Sequence, residues 1–164
     1  MKTHVGEMFP ESNLYIYNAG NMEKTNTYKI FDNKKIIVFG MPGAFTPTCS
    51  NYHIPSIIDQ MENLKKKGMY EIFCLVVNDI HVTKAWAEQT KAIETGLKFI
   101  TDTDGTLVNK LNLSFSAPEI GLINRSKRFC LILENLIIKN IFLETERGVC
   151  DVTLGKNILN QIEI

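Results

Sequence analysis

The sequence predicts an α/β fold, a mixed β-sheet flanked by helices on both faces, and three observations carry that prediction. Strand-like and helix-like segments alternate along most of the chain, as they do where helices cover a partly parallel sheet. Two strand-like runs, one at residues 34–39 and one at 71–77, are rich in apolar residues with few interruptions. Such runs mark strands covered on both faces. Near the end, Phe129–Leu133 and Leu136–Leu143 are separated only by Glu134-Asn135, which reads as a hairpin and makes part of the sheet antiparallel. A chain of 164 residues suits a single domain over 1–164 with a sizeable core.

The elements follow in order. Leu14–Tyr17 reads as a strand, Asn18–Asn21 as a turn and Thr25–Ile30 as a second strand. The run at 34–39 gives the central strand. Ile57, Ile58, Met61 and Leu64 then recur at helical spacing, so a helix starts near Thr48 and runs to about Lys67, with Gly68 just past its end. Lys65, Lys66 and Lys67 suit the negative end of the helix dipole and read as a solvated helix end. Glu71–Val77 is a buried strand, Val82–Ile93 a helix with Trp86 as a packing residue, and Phe99-Ile100 a short strand. Asp102-Thr103-Asp104-Gly105 is a turn opening another helix. Too few oxygen ligands follow for a calcium loop, so capping is the expected task of both aspartates. Ser114–Gly121 reads as loop, and Thr153–Ile162 as a terminal helix.

Composition excludes several classes. There are 18 basic and 18 acidic side chains, for a net charge of zero, so nothing argues for nucleic acid or an anionic membrane. No apolar run approaches the roughly 20 residues needed to span a bilayer. The first residues carry neither a signal-peptide core nor a transit-peptide pattern. The four cysteines, at 49, 74, 130 and 150, form no Cys-x-x-Cys pair and no zinc spacing. That usage fits a reducing compartment, cytoplasm or an organelle (plastid or mitochondrion) if a targeting peptide has been removed.

The chemistry concentrates between Phe39 and Pro55. Gly40, Pro42, Gly43 and Pro47 punctuate a turn from the central strand into the helix, and Cys49 falls in the first helical turn. A helix start carries unpaired N–H donors and a partial positive charge, which favour thiolate over thiol and can hold an oxygen-rich ligand. Thr46 or Thr48 is placed to cap the helix. Pro42 and Pro47 stiffen the loop. A lone cysteine under such a turn is usually inert and buried. Here a threonine, two prolines and a helix start converge on one sulfur.

These residues resemble a family. Pro42, Thr46 and Cys49 fit the Pro-x-x-x-Thr-x-x-Cys signature of the peroxiredoxins. The longer run Pro-Gly-Ala-Phe-Thr-Pro-Thr-Cys-Ser-x-x-His-x-Pro, from Pro42 to Pro55, is similar to the type-five (atypical) subgroup. Asn124-Arg125-Ser126-Lys127-Arg128-Phe129 is similar to its second signature, which supplies an active-site arginine. The resemblance implies a thioredoxin-like fold, a thiol peroxidase needing no metal or organic cofactor, and a homodimer with active-site loops at its interface. It selects Arg128 over Arg125 as the arginine, since the active-site one directly precedes the aromatic residue. The expected catalytic set is Cys49, Thr46 and Arg128. Pro42, Thr48, Phe45 and Ile120 are expected to bind substrate, with Phe45, Ile120 and Phe115 as an apolar collar. His53 is expected in a supporting role, and His4 and His81 at the surface.

Cys74 and Cys130 fall in strand runs and read as buried and inert. Two-cysteine members of the subgroup carry a resolving cysteine shortly before the last helix. If Asn157-Ile158-Leu159 marks that helix, the resolving position falls near Val152, two residues from Cys150. The segment before Cys150 also lacks the subgroup's Asp-Gly-Thr-Gly turn. A one-cysteine mechanism is therefore expected, with glutathione and glutaredoxin as reductant and thioredoxin as second choice. The alternatives are a two-cysteine enzyme resolved by Cys150, or a redox sensor or holdase switched by cysteine oxidation.

Overall fold

The computed structural model describes residues 3–18, 20–68 and 70–162. Seven strands form one sheet in the order β2-β1-β5-β4-β3-β8-β9. These are β1 (Asn13–Asn18), β2 (Asn21–Asn26), β3 (Lys35–Gly40), β4 (Glu71–Val76), β5 (Lys98–Thr101), β8 (Phe129–Glu134) and β9 (Ile137–Leu143). The three central strands β3, β4 and β5 are parallel. The flanking pairs β1–β5, β1–β2, β3–β8 and β8–β9 are antiparallel. A separate hairpin joins β6 (Ser114–Ala117) to β7 (Leu122–Ser126).

Alternation along the strands divides the core in two, because successive side chains point to opposite faces. Ile37 and Phe39 join Ile72, Cys74, Cys130 and Ile132 on one face, beneath Ile54, Ile57, Leu64, Trp86 and Ile158. These come from α2 (Ile54–Ile58), α3 (Met61–Gly68), α4 (Ile80–Gln89) and α6 (Gly155–Gln161). Ile36, Val38, Phe73, Leu75 and Leu131 face the other way, toward Phe31, Leu107, Val108 and Leu111. There α1 (Thr27–Phe31) and α5 (Thr106–Lys110) supply the cover. Both faces of the mixed sheet therefore carry helices, as the sequence predicts.

Some elements differ from expectation. The second strand is Asn21–Asn26, not 25–30, because the Asn26 side chain accepts from the Lys29 N–H and starts α1, a standard N-cap. Ala19, in the expected first turn, lies outside the described residues. Ser114–Gly121 is not loop throughout: β6 and a 3₁₀ turn at Pro118–Ile120 occupy it. The β8–β9 turn sits at Asn135 and Leu136, whose φ values are 50° and 67°. The terminal helix starts at Gly155 rather than Thr153. The lysine run is only partly solvated. Lys65 donates to the Thr95 carbonyl and Lys67 to that of Leu159, each at 2.7 Å, so two of the three serve neighbouring helical segments.

The expected long helix after Cys49 is broken into three pieces. Residues 47–48 are helical, Cys49–His53 is a π-helical turn, α2 follows, and a turn at 59–60 precedes α3. The Ile54 N–H reaches back five residues to the Cys49 carbonyl. Pro55 is the physical cause: it lacks an N–H, and its ring would press on the carbonyl four residues before it in a regular helix. A widened turn moves that carbonyl away.

Candidate active site

The site is built where β3 ends. Gly40 passes so close to β8 that a Cβ there would stand 2.2 Å from the Phe129 ring. The loop beyond it is fastened at two points. The Met41 N–H donates to the Leu75 carbonyl at 3.0 Å, and the Ala44 N–H to Asn78 Oδ1 at 2.9 Å. Phe45 adopts φ 62°, a conformation that costs a bulky residue free energy and persists only where its surroundings fix it.

Neither threonine hydroxyl caps the helix as expected. Thr46 Oγ1 donates back to the Gly43 carbonyl at 2.8 Å, and Thr48 makes no side-chain capping bond. The Thr46 carbonyl accepts the first helical bond, from the Ser50 N–H at 3.0 Å. Among the described residues, the backbone N–H groups of Thr48 and Cys49 find no backbone acceptor, so these donors are free for a ligand. Trp86 is a packing residue, stacked edge-on against Phe99 at 5.8 Å. It also fixes this turn, since its indole N–H donates to Ser50 Oγ at 3.0 Å.

Cys49 is fully buried. Arg128, only 2% exposed, precedes β8 and reaches across to it. Arg128 Nη2 donates to Cys49 Sγ at 3.4 Å and to the Arg147 carbonyl at 3.5 Å. Arg128 Nη1 lies 3.0 Å from His53 Nδ1, and His53 Nε2 lies 3.0 Å from the Thr153 carbonyl. A guanidinium can only donate and a carbonyl can only accept. The imidazole is therefore protonated at Nε2 and offers its Nδ1 lone pair to the arginine. Burial, then the Arg128 charge, lower the His53 pKa to about 3, so the ring is neutral beside the guanidinium. His53 also stands edge-on to Phe39 at 5.6 Å.

The other cysteines differ from Cys49. Cys74 and Cys130 flank Phe39 across the sheet and are fully buried. Burial pushes both thiols well up, which suits the inert reading. Cys150 is half-buried. Burial raises its pKa, while the charge of Arg128 pulls the other way and that of Cys49 adds a smaller upward push. It thus sits within the electrostatic field of the site.

A pocket of about 280 Å³ opens over this centre, and Pro42, Thr46, Thr48, Ile120 and Arg128 all line it. Phe45 stands outside that lining, 49% exposed. Phe115 lines a neighbouring cavity behind Arg128 instead. Pro47, Leu122, Arg147 and Gly148 complete the lining. Arg147 Nη1 pairs there with Glu119 at 3.3 Å. Among the described residues Arg128, not Arg125, is the arginine hydrogen-bonded to the sulfur. Arg125 Nη1 lies 3.1 Å from where a Gly43 Cβ would be, against the Pro42–Phe45 loop. Asp102 and Asp104 cap α5, accepting from the N–H groups of Val108 and Thr106 at 2.9 Å each.

The sequence matches the Redoxin family over residues 4–158. Peroxiredoxin-2C of Arabidopsis thaliana is 41% identical over 159 residues, which is 96% of this chain and 97% of the relative. The chain belongs to the peroxiredoxins. It is a peroxiredoxin of the type-five kind. Reduced Prx3 from Vibrio vulnificus, solved in complex with hydrogen peroxide, superposes on this peroxiredoxin with a TM-score of 0.88 at 30% identity, covering 98% and 99% of the two chains. The antioxidant protein of Plasmodium falciparum, described as a 1-Cys peroxiredoxin, gives 0.86 at 25% identity, covering 94% and 97%. The fold is accordingly the thioredoxin-like fold of peroxiredoxins. As a peroxiredoxin the chain is a thiol-dependent peroxidase, taking a hydroperoxide and a thiol reductant. Among the described residues no helix is long and apolar enough to cross a membrane.

Proposed function

We propose that this peroxiredoxin acts as one domain in which Cys49 attacks a hydroperoxide and an external thiol restores it. The Cys49 thiolate takes the terminal hydroxyl of the peroxide, the O–O bond breaks with its electron pair going to the departing alkoxide or hydroxide, and a solvent proton converts that group to alcohol or water. Cys49 becomes a sulfenic acid, oxidised by two electrons. The observation that carries this reading is Arg128 Nη2 at 3.4 Å from Cys49 Sγ. A guanidinium held there stabilises the thiolate and the charge growing on the leaving oxygen. The free N–H groups of Thr48 and Cys49 add donors. The Thr46 hydroxyl can turn from Gly43 to a peroxide oxygen, and Pro42 and Ile120 shape the apolar wall that an alkyl hydroperoxide would touch.

The one-cysteine route with glutathione and glutaredoxin remains our first reading. Cys150 lies on a segment fastened by hydrogen bonds to a buried carboxylate, and a resolving cysteine must be free to swing. The second reading, a Cys49–Cys150 disulfide reduced by thioredoxin, is favoured by one observation: Cys150 follows two residues after Gly148, which lines the pocket beside Arg128. A homodimer is supported by exposed Phe45, Tyr52, Ile120 and Ile123, which all lie on segments framing the pocket and leave an apolar surface to cover. An intracellular reducing compartment, cytoplasm or organelle, fits the unpaired cysteines.

Peroxide consumption with each reductant tests the proposal. Cys49→Ser should abolish turnover. Cys150→Ser should leave turnover with glutathione and glutaredoxin nearly intact. Mass spectrometry after one equivalent of peroxide should find Cys49 as sulfenic acid or glutathione adduct. A dominant Cys49–Cys150 disulfide, with turnover lost in Cys150→Ser, would establish the two-cysteine route instead.

A further inference from the structure

We propose that Glu144 is a positioning residue that sets the aim of Arg128 through Thr153 and His53. The proposal rests on the role given above to Arg128. Glu144 follows β9 and is only 8% exposed, although a buried carboxylate is costly unless its oxygens are well supplied with donors. No ion pair serves it among the described residues. Instead its Oε1 collects three donors: the Asp151 N–H at 2.7 Å, the Thr153 N–H at 2.9 Å and the Thr153 hydroxyl at 2.7 Å. Residues 144–154 form no regular helix or strand. This carboxylate therefore supplies the fastening that backbone ladders provide elsewhere.

What it fastens faces the reactive sulfur. The Thr153 carbonyl accepts from His53 Nε2, and His53 Nδ1 accepts from Arg128 Nη1. The Glu144 N–H donates in turn to the Arg128 carbonyl at 3.1 Å. The four residues close a ring of hydrogen bonds that leaves Arg128 by its side chain and returns to it by its backbone. Midway along the same strap, the Arg147 carbonyl takes the second bond of Arg128 Nη2. Remove the carboxylate and both carbonyls lose their fixed places. The imidazole is then free to change tautomer or rotate, and the guanidinium loses the acceptors that hold Nη2 against Sγ. Arg128 Nε is already buried without a partner, so the side chain has no bond there to fall back on.

The test uses Glu144→Ala and the pair Thr153→Val and Thr153→Ser, in the full chain. Two quantities are read: the rate of Cys49 oxidation by hydrogen peroxide, and the imidazole ¹⁵N shifts of His53, assigned by their loss in His53→Gln. In the parent protein His53 should show a single Nε2–H tautomer. In Glu144→Ala that pattern should give way to mixed tautomers, and the oxidation rate should fall about tenfold, the equivalent of one lost hydrogen bond at the transition state. Thr153→Val should shift both readouts the same way, and Thr153→Ser should restore most of what the valine removes, since it returns the hydroxyl donor. If Glu144→Ala does not fold, the Thr153 pair decides by itself. An unchanged His53 tautomer in a folded Glu144→Ala protein overturns the proposal, as does a slowed Cys49 with no difference between Thr153→Val and Thr153→Ser. If the parent protein consumes no peroxide at all, the function proposed above fails, while the imidazole spectra still judge the ring of bonds.

Discussion

His53 and Arg128 meet at 3.0 Å with the imidazole as acceptor, so the cation beside Cys49 is held by a neutral ring and not by a carboxylate. The distinction matters for reactivity. A carboxylate would neutralise the guanidinium, whereas a neutral acceptor orients it and leaves its full charge for the sulfur and the departing oxygen.

That arrangement needs a planar fork. Arg128→Lys keeps the charge, but an ammonium cannot serve His53, the Arg147 carbonyl and Sγ at once. Its rate of Cys49 oxidation, followed by stopped-flow, should fall by about a hundredfold. Arg125→Lys should cost far less, because Arg125 lies against Gly43 and the hydrogen bond to the sulfur comes from Arg128. Equal losses would displace Arg128 from its assigned part.

The depressed His53 pKa has a signed consequence for stability. Its folded pKa of about 3 lies below the ordinary value of 6.5. Between those values the unfolded chain binds a proton that the folded protein does not. Stability from this residue is complete above pH 6.5 and drains away as pH falls toward 3, by up to about 1.4 kcal/mol per pH unit. Urea melts across that window, compared with His53→Gln, should show a flatter slope in the variant.

Ser50 is the only hydrogen-bond acceptor of the Trp86 indole among the described residues. Ser50→Ala strands that N–H in a buried site and should cost about 1–2 kcal/mol in urea unfolding. Trp86 is the single tryptophan of the chain, so its fluorescence should also change. An unaltered emission spectrum would argue that the indole bond is absent in solution.

Gly155 opens α6 against α2, and a Cβ there would stand 2.2 Å from the Ser56 carbonyl oxygen. That atom is backbone and cannot swing aside. Gly155→Ala should therefore destabilise the protein by about 1–3 kcal/mol, although alanine is the better helix former at an open position. A gain in melting temperature would show that the two helices are less closely packed.

The sequence made some of this legible. Cys49, Thr46 and His53 are readable because each carries its chemistry in a distinctive side chain at a distinctive spacing, whereas Arg128 is chosen over Arg125 only by the resemblance to the family's second signature. The central strands were readable because burial on both faces writes an apolar run. Thr153 and Arg147 were not, since they act through backbone carbonyls, which any residue possesses. In the sequence Glu144 is one charge among Glu146 and Arg147, and nothing local marks a carboxylate whose partners lie seven and nine residues ahead. The strand expected at 25–30 failed because Asn26 is a capping residue first, and Thr27 and Tyr28 fit either state. Thr46 and Thr48 were given a capping task because their spacing from the helix allows it. The tight turn at Gly43 offered Thr46 a nearer acceptor.

The widened turn at Cys49–His53 has the geometry of a regular helix that has gained one residue. Each helical residue turns the chain by about 100°. A lineage that dropped a single residue from this stretch would keep its strand, its proline and its second helix, yet swing its sulfur to another side of the helix from Arg128. The spacing between Cys49 and Pro55 is thus a setting of phase. Substitutions there adjust the chemistry by degrees, while a change of length would switch it off whole.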